Sequence, residues 1–99
     1  MRQHFDAWIA TQGLVPRTIA SRCSELRRIE AAYGDLDALA AAGQLDAVLE
    51  SLTYSRADAD AGRENPSRIA IAGDVWNGLA TLRTSLRLYR RFLATQPLR

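Results

Sequence analysis

The 99-residue sequence holds one cysteine, one histidine and no lysine, and each scarcity removes a class of chemistry. Cys23 has no partner for an intramolecular disulfide, and together with His4 it falls short of the four ligands of a structural zinc site. A Ser or Cys triad needs a histidine base, and His4 sits in a terminal helix. Acidic pairs stand at Asp35/Asp37 and Asp58/Asp60. Metal-dependent nuclease chemistry needs several convergent carboxylates, and residues two apart on a helical turn face away from each other. The glycines are scattered singly, so no phosphate-cradling loop is present. No apolar run approaches the roughly 18 residues of a membrane helix. Met1 to Asp6 carries an acid early and no apolar core of signal-peptide length. These absences predict a cytoplasmic, non-enzymatic protein with no cofactor, no metal and no membrane association.

About half the residues are apolar and about a quarter charged, the balance of an ordinary globular chain. At this length, residues 1–99 make one small domain with a single modest core. The net charge of +2 conceals a segregation: residues 1–30 sum to +2, residues 31–64 to −5 and residues 65–99 to +5. All thirteen basic residues are arginine, a bias that a GC-rich genome produces without selection. It nonetheless supplies planar guanidinium donors suited to bidentate phosphate contacts.

Helical periodicity organises most of the chain. Phe5, Trp8 and Ile9 fit the inner face of a helix from about Arg2 to Gln12, which Gly13 ends. Pro16 is acceptable in the first turn of a second helix running to Tyr33, where Gly34 supplies the stop. Its apolar set is Ile19, Cys23, Leu26, Ile29 and Tyr33, which makes Cys23 a small core residue. Asp35 caps a short helix from Leu36 to about Ala42, and a further short helix spans Gln44 to Leu52. The acidic outer faces of these two helices would repel a phosphate backbone. Thr53 to Gly73 is the least regular stretch, with one turn of helix capped by Ser55 and ended by Gly62, then an Ile69–Ala72 strip too short for more than a β-bridge. Trp8, Trp76 and Tyr54 either pack structurally, the favoured reading in a small core, or stack on bases.

The last helix, Asp74 to Leu93, is the most informative segment. Val75, Leu79, Leu82, Leu86, Tyr89 and Leu93 form an apolar stripe, and Arg83, Arg87, Arg90 and Arg91 run along its flank without a following acid. Asn77, Thr81, Thr84 and Ser85 occupy the far side, small enough to admit a phosphate backbone and able to bond to it. Helix two offers Arg17, Arg22, Arg27 and Arg28 as a second clamp, with Glu25 and Glu30 as partial neutralisers. The leading expectation is double-stranded DNA bound through its phosphates by these eight arginines, with Thr81, Thr84 and Asn77 as neutral contacts. The alternative is a protein-interaction or oligomerisation module, in which the basic pole of one copy meets the acidic middle of another or of a partner protein.

Gly13-Leu14-Val15-Pro16-Arg17-Thr18-Ile19, continuing to Leu26, resembles the opening of the core-binding, SAM-like domain of tyrosine recombinases and phage integrases. The final stretch from Asn77 to Leu93 is similar to the helix that ends that domain. The resemblance implies an all-α, compact bundle of four to five helices that clamps one side of duplex DNA, with an irregular segment before the last helix. Arg22 stands where the family often has an aromatic residue, the 53–73 segment is longer than the usual link, and the recombinase catalytic domain is absent from the 99 residues. Leu52 to Asp58, with Gly73-Asp74 and Asn77-Gly78, also looks like modules that precede nuclease domains in bacterial defence proteins.

Overall fold

Capping side chains and isolated glycines set most of the helix ends, although the first helix stops at Ile9, short of the expected Gln12, and passes through turns to Gly13. In the structure, a computed structural model described over residues 4–96, the helices are α1 (His4–Ile9), α2 (Pro16–Tyr33), α3 (Leu36–Ala41), α4 (Leu45–Ser51), α5 (Arg56–Asp60) and α6 (Val75–Ala94). No strand occurs among the described residues. The all-α bundle is therefore as expected, with α5 little more than a single turn. The expected first turn from Arg2 and the stop at Pro97 lie outside the described residues.

The signals act as the residues dictate. Pro16 opens α2, and Gly34 closes it at φ 109°, where a side chain would be strained, while its N–H donates to Glu30 O at 2.9 Å. Asp35 accepts from Ala38 N at the start of α3, and Asp74 accepts from Asn77 N at the start of α6. Ser55 and Asp58 form a reciprocal capping box on α5, each side chain bonding the other's backbone N–H.

The two long helices α2 and α6 share the most extensive inter-helix contact and hold the core between them and the shorter elements. Phe5, Ile9, Leu26, Ile29, Leu36, Leu52, Leu79, Leu82, Leu86 and Tyr89 are all fully buried. Each such side chain contributes about 1.5–3 kcal/mol through removal from water. An aromatic cluster fastens α1 to the C-terminal half of α6: Phe5 lies 5.1 Å from Tyr89 and 5.3 Å from Phe92, and Trp8 lies 5.6 Å from Phe92, all tilted or edge-on. Tyr89 also donates its hydroxyl to Asp37 of α3 at 2.5 Å. Cys23 is buried as expected, and burial followed by the nearby Asp6 carboxylate pushes its thiol up, away from reactivity.

The buried arc of α6 is wider than the apolar stripe alone. Val75 and Leu93, at the helix ends, are only partly buried, whereas Phe92 and Ser85 are enclosed. Ser85 was expected on the open polar side. Instead it is buried and donates to Glu25 Oε1 of α2 at 2.5 Å.

The segment between α5 and α6 is held by polar bonds and two apolar plugs. Asn65 donates to Ile69 O at 2.7 Å and accepts from Ser67 N at 2.8 Å, and Tyr33 Oη accepts from Arg68 N at 2.9 Å. Ile69 is buried, and Ile71 presses on Gly78, where a Cβ would meet Ile71 Cγ2 at 2.6 Å. The expected extended strip is thus a pair of isoleucine anchors with no β-bridge.

Candidate nucleic-acid interface

The arginines of α6 divide between two adjoining edges, and the division follows what each edge faces. Arg83 turns toward α4 and donates through Nη1 to Leu52 O at 2.7 Å, closing a free carbonyl at the C-terminus of that helix. Burial, followed by the charge of Arg87, lowers its pKa, although guanidinium remains protonated near neutrality. Arg90 turns the same way and pairs with Asp46 at 2.9 Å. The acidic face of α4, expected to stand apart from the basic pole, therefore touches it along this edge.

Arg87 and Arg91 lie further round the same flank, away from α4. Both are exposed, and neither makes an ion pair or hydrogen bond among the described residues. Across from them stands the first half of α2, and the two helices enclose a cleft of about 360 Å³ lined by Leu14, Thr18, Arg22, Thr84, Arg87, Leu88 and Arg91. Leu14 and Leu88 give it an apolar floor between cationic walls.

Arg22 is the least obvious member of this cleft. Its side chain is only 19% exposed, and its Nε lies 3.1 Å from Glu25 Oε1, without the alignment of a hydrogen bond. The same carboxylate oxygen accepts the Ser85 hydroxyl, so Ser85, Glu25 and Arg22 form a polar chain leading from the α2–α6 contact to the cleft. Buried and partly neutralised, this network carries more electrostatic weight than a surface pair would.

The remaining arginines of α2 do not converge. Arg28 donates to Ala70 O at 3.2 Å and so ties α2 to the irregular segment. Arg27 lies toward the α1 side, where its charge acts on Cys23. Arg17 is exposed in the first turn; neither it nor Arg27 has a charged or hydrogen-bonded partner among the described residues. The expected four-arginine clamp is thus spread over three directions, with only Arg22 joining the α6 pair.

The neutral candidates are spent on the helix itself. Thr81 donates to Asn77 O at 2.9 Å, Thr84 donates to Ala80 O at 3.0 Å, and Asn77 Nδ2 donates to Asp74 Oδ2 at 2.9 Å. Thr81 and Thr84 retain only acceptor capacity, which a phosphate cannot use, whereas Asn77 keeps a second Nδ2–H. Thr18, which the sequence did not single out, has no such commitment and lines the cleft. Its signal was present in the helical register that it shares with Arg22, four residues on.

The aromatic residues are also accounted for. Trp8 belongs to the core cluster, Tyr54 is buried and donates to Arg63 O at 2.6 Å, and Arg56 stacks over Trp76 at 5.1 Å. None offers an open platform for a base. Among the described residues no group of His, Cys, Asp or Glu is arranged to hold a metal ion, and no helix is long and apolar enough to cross a membrane. No family model, curated protein or solved structure matches the chain.

Proposed function

We propose that this chain is a non-catalytic, cytoplasmic DNA-binding domain that grips duplex phosphates along the α2–α6 edge. The observation that carries the reading is the pair of exposed, uncommitted arginines, Arg87 and Arg91, facing Arg22 across the cleft. Exposed cations without an internal acid break no ion pair of the fold on meeting a phosphate backbone, and each contact gains from counterion release. Arg17, exposed in the first turn of α2, and Arg27, on the α1 side, supply further positive charge outside the cleft. The chain's likeness in sequence to the core-binding domain of tyrosine recombinases agrees with such a clamp and forms part of the proposal.

A second reading is a protein-interaction module. Val15, the exposed large apolar residue among those described, at 62%, follows Leu14 of the cleft in the chain and suits a protein partner better than a phosphate backbone. Fluorescence anisotropy of a labelled duplex of about 20 base pairs, titrated at several salt concentrations, separates the two. Affinity that falls steeply with salt while the protein stays monomeric supports DNA binding. Absence of binding at low salt, with mass that rises with concentration, supports the protein partner instead.

A further inference from the structure

We propose that the α2–α6 cleft receives a terminal phosphomonoester, the 5′-phosphorylated end of a DNA strand, with its last nucleoside resting on Leu14 and Leu88. The inference rests on the DNA-binding reading and assigns that reading an anchoring site.

Charge balance is the first argument. Arg22, Arg87 and Arg91 line the cleft, and Glu25 beside Arg22 is the acid paired within it, which leaves two positive charges uncompensated. A phosphomonoester carries about −1.5 to −2 near neutral pH, whereas an internal backbone phosphate carries about −1. The cleft is matched to the dianion. Guanidinium groups approaching from both helices also suit the three terminal oxygens of a monoester better than the two free oxygens of a diester.

The second argument is the fixed position of Arg22. Its Nε is shielded from water and lies 3.1 Å from Glu25 Oε1, the same oxygen that accepts the Ser85 hydroxyl. Ser85 and Glu25 hold it in the wall of the cleft and keep it from swinging to solvent. They are positioning residues in this scheme, and Arg22 is the ligand.

The third argument is shape. The space of about 360 Å³ lies at the small end of ligand pockets, a volume suited to one nucleotide. A phosphate passing along the outside would leave the Leu14 and Leu88 floor unused. A terminal nucleoside supplies an apolar face to cover it, and Thr18 retains a hydroxyl for the phosphate.

The test compares three duplexes of one sequence: 5′-phosphorylated, 5′-hydroxyl, and a dumbbell closed by loops at both ends. The 5′-phosphorylated duplex is expected to bind about tenfold more tightly than either of the others, a preference abolished by Arg91→Gln and by Leu88→Glu. Arg27→Gln, away from the cleft, should weaken all three alike. Thymidine 5′-monophosphate should compete at lower concentration than thymidine. Equal affinity for the three duplexes overturns the end assignment while leaving DNA binding in place. Failure of all three to bind removes both readings. Competition by a phosphoserine peptide as strong as that of the mononucleotide also overturns the assignment, since it transfers the cleft to a phosphorylated protein. Because the primary comparison uses the unaltered protein, misfolding of a variant cannot decide it.

Discussion

Two adjoining edges of α6 carry the same residue type at neighbouring helical positions and put it to opposite uses. Toward α4, Arg83 closes a helix end and Arg90 meets Asp46, so both charges are spent inside the fold. Toward the first half of α2, Arg87 and Arg91 face another arginine and remain available. A basic stripe is therefore not a surface property of one helix. Its meaning depends on which neighbour stands against each edge, and only the charges that find no acid or carbonyl within the fold are left for a partner.

That contrast can be broken from either edge. Arg83→Ala leaves Leu52 O without its charged donor and should lower unfolding free energy by about 1.5–3 kcal/mol, seen as a reduced denaturation midpoint. Its effect on the salt dependence of DNA binding should be slight. The double change Arg87→Ala with Arg91→Ala should do the reverse. Stability should stay within about 0.5 kcal/mol, while the slope of log affinity against log salt flattens by about two units. An unchanged slope would take this edge out of the interface.

Arg90→Ala is intermediate and sharpens the boundary between the two edges. Its partner Asp46 is 81% exposed, so loss of the pair should cost only about 0.2–1 kcal/mol, and less as salt is raised. A larger loss would place Arg90 firmly with Arg83 as a structural residue. Gain of DNA affinity in Asp46→Asn, which frees Arg90, would mark it as a cation held in reserve.

The smallest effect is expected in acid, and it distinguishes the acidic half from the α2–α6 pair. The backbone N–H of Ala38 holds the Asp35 carboxyl below its usual pKa, and the backbone N–H of Ser55, then Arg63, does the same for Asp58. Because the folded values are depressed, the stabilisation is complete above the unfolded value of about 3.9 and fades as pH falls through the folded values. The α3 and α5 caps should therefore loosen before the long helices part. Trp76, under Arg56 of α5, reports one region, and Trp8, in the aromatic cluster, reports the other. In single-tryptophan variants, the Trp76 emission should change at a higher pH than that of Trp8. Coincident changes would show that acid unfolds the bundle as one unit.

The helices themselves were legible because their determinants are local. Pro16, Gly34, Asp35, Ser55 and Asp74 act on backbone groups within a few residues, and the periodicity of Leu79, Leu82, Leu86 and Tyr89 fixes which face is buried. The candidate site was legible only as a set of cations. Periodicity places Arg83, Arg87, Arg90 and Arg91 on one broad flank, and the charge pattern along the chain separates acid from base.

What the linear order could not contain is the identity of the neighbour across each helix edge. That Ser85 is enclosed and bonded to Glu25, that Ile71 presses on Gly78, and that Asp46 and Leu52 absorb Arg90 and Arg83 are contacts between residues 7 to 60 positions apart. Local propensity and capping energies are set by a residue and its near neighbours in the chain. Neutralisation and enclosure are set by distances of a few ångströms through space, which exist only once α2, α4 and α6 have packed. The chain thus specifies an arginine-bearing helix on its own, and the packing of the bundle decides which of those arginines remain free.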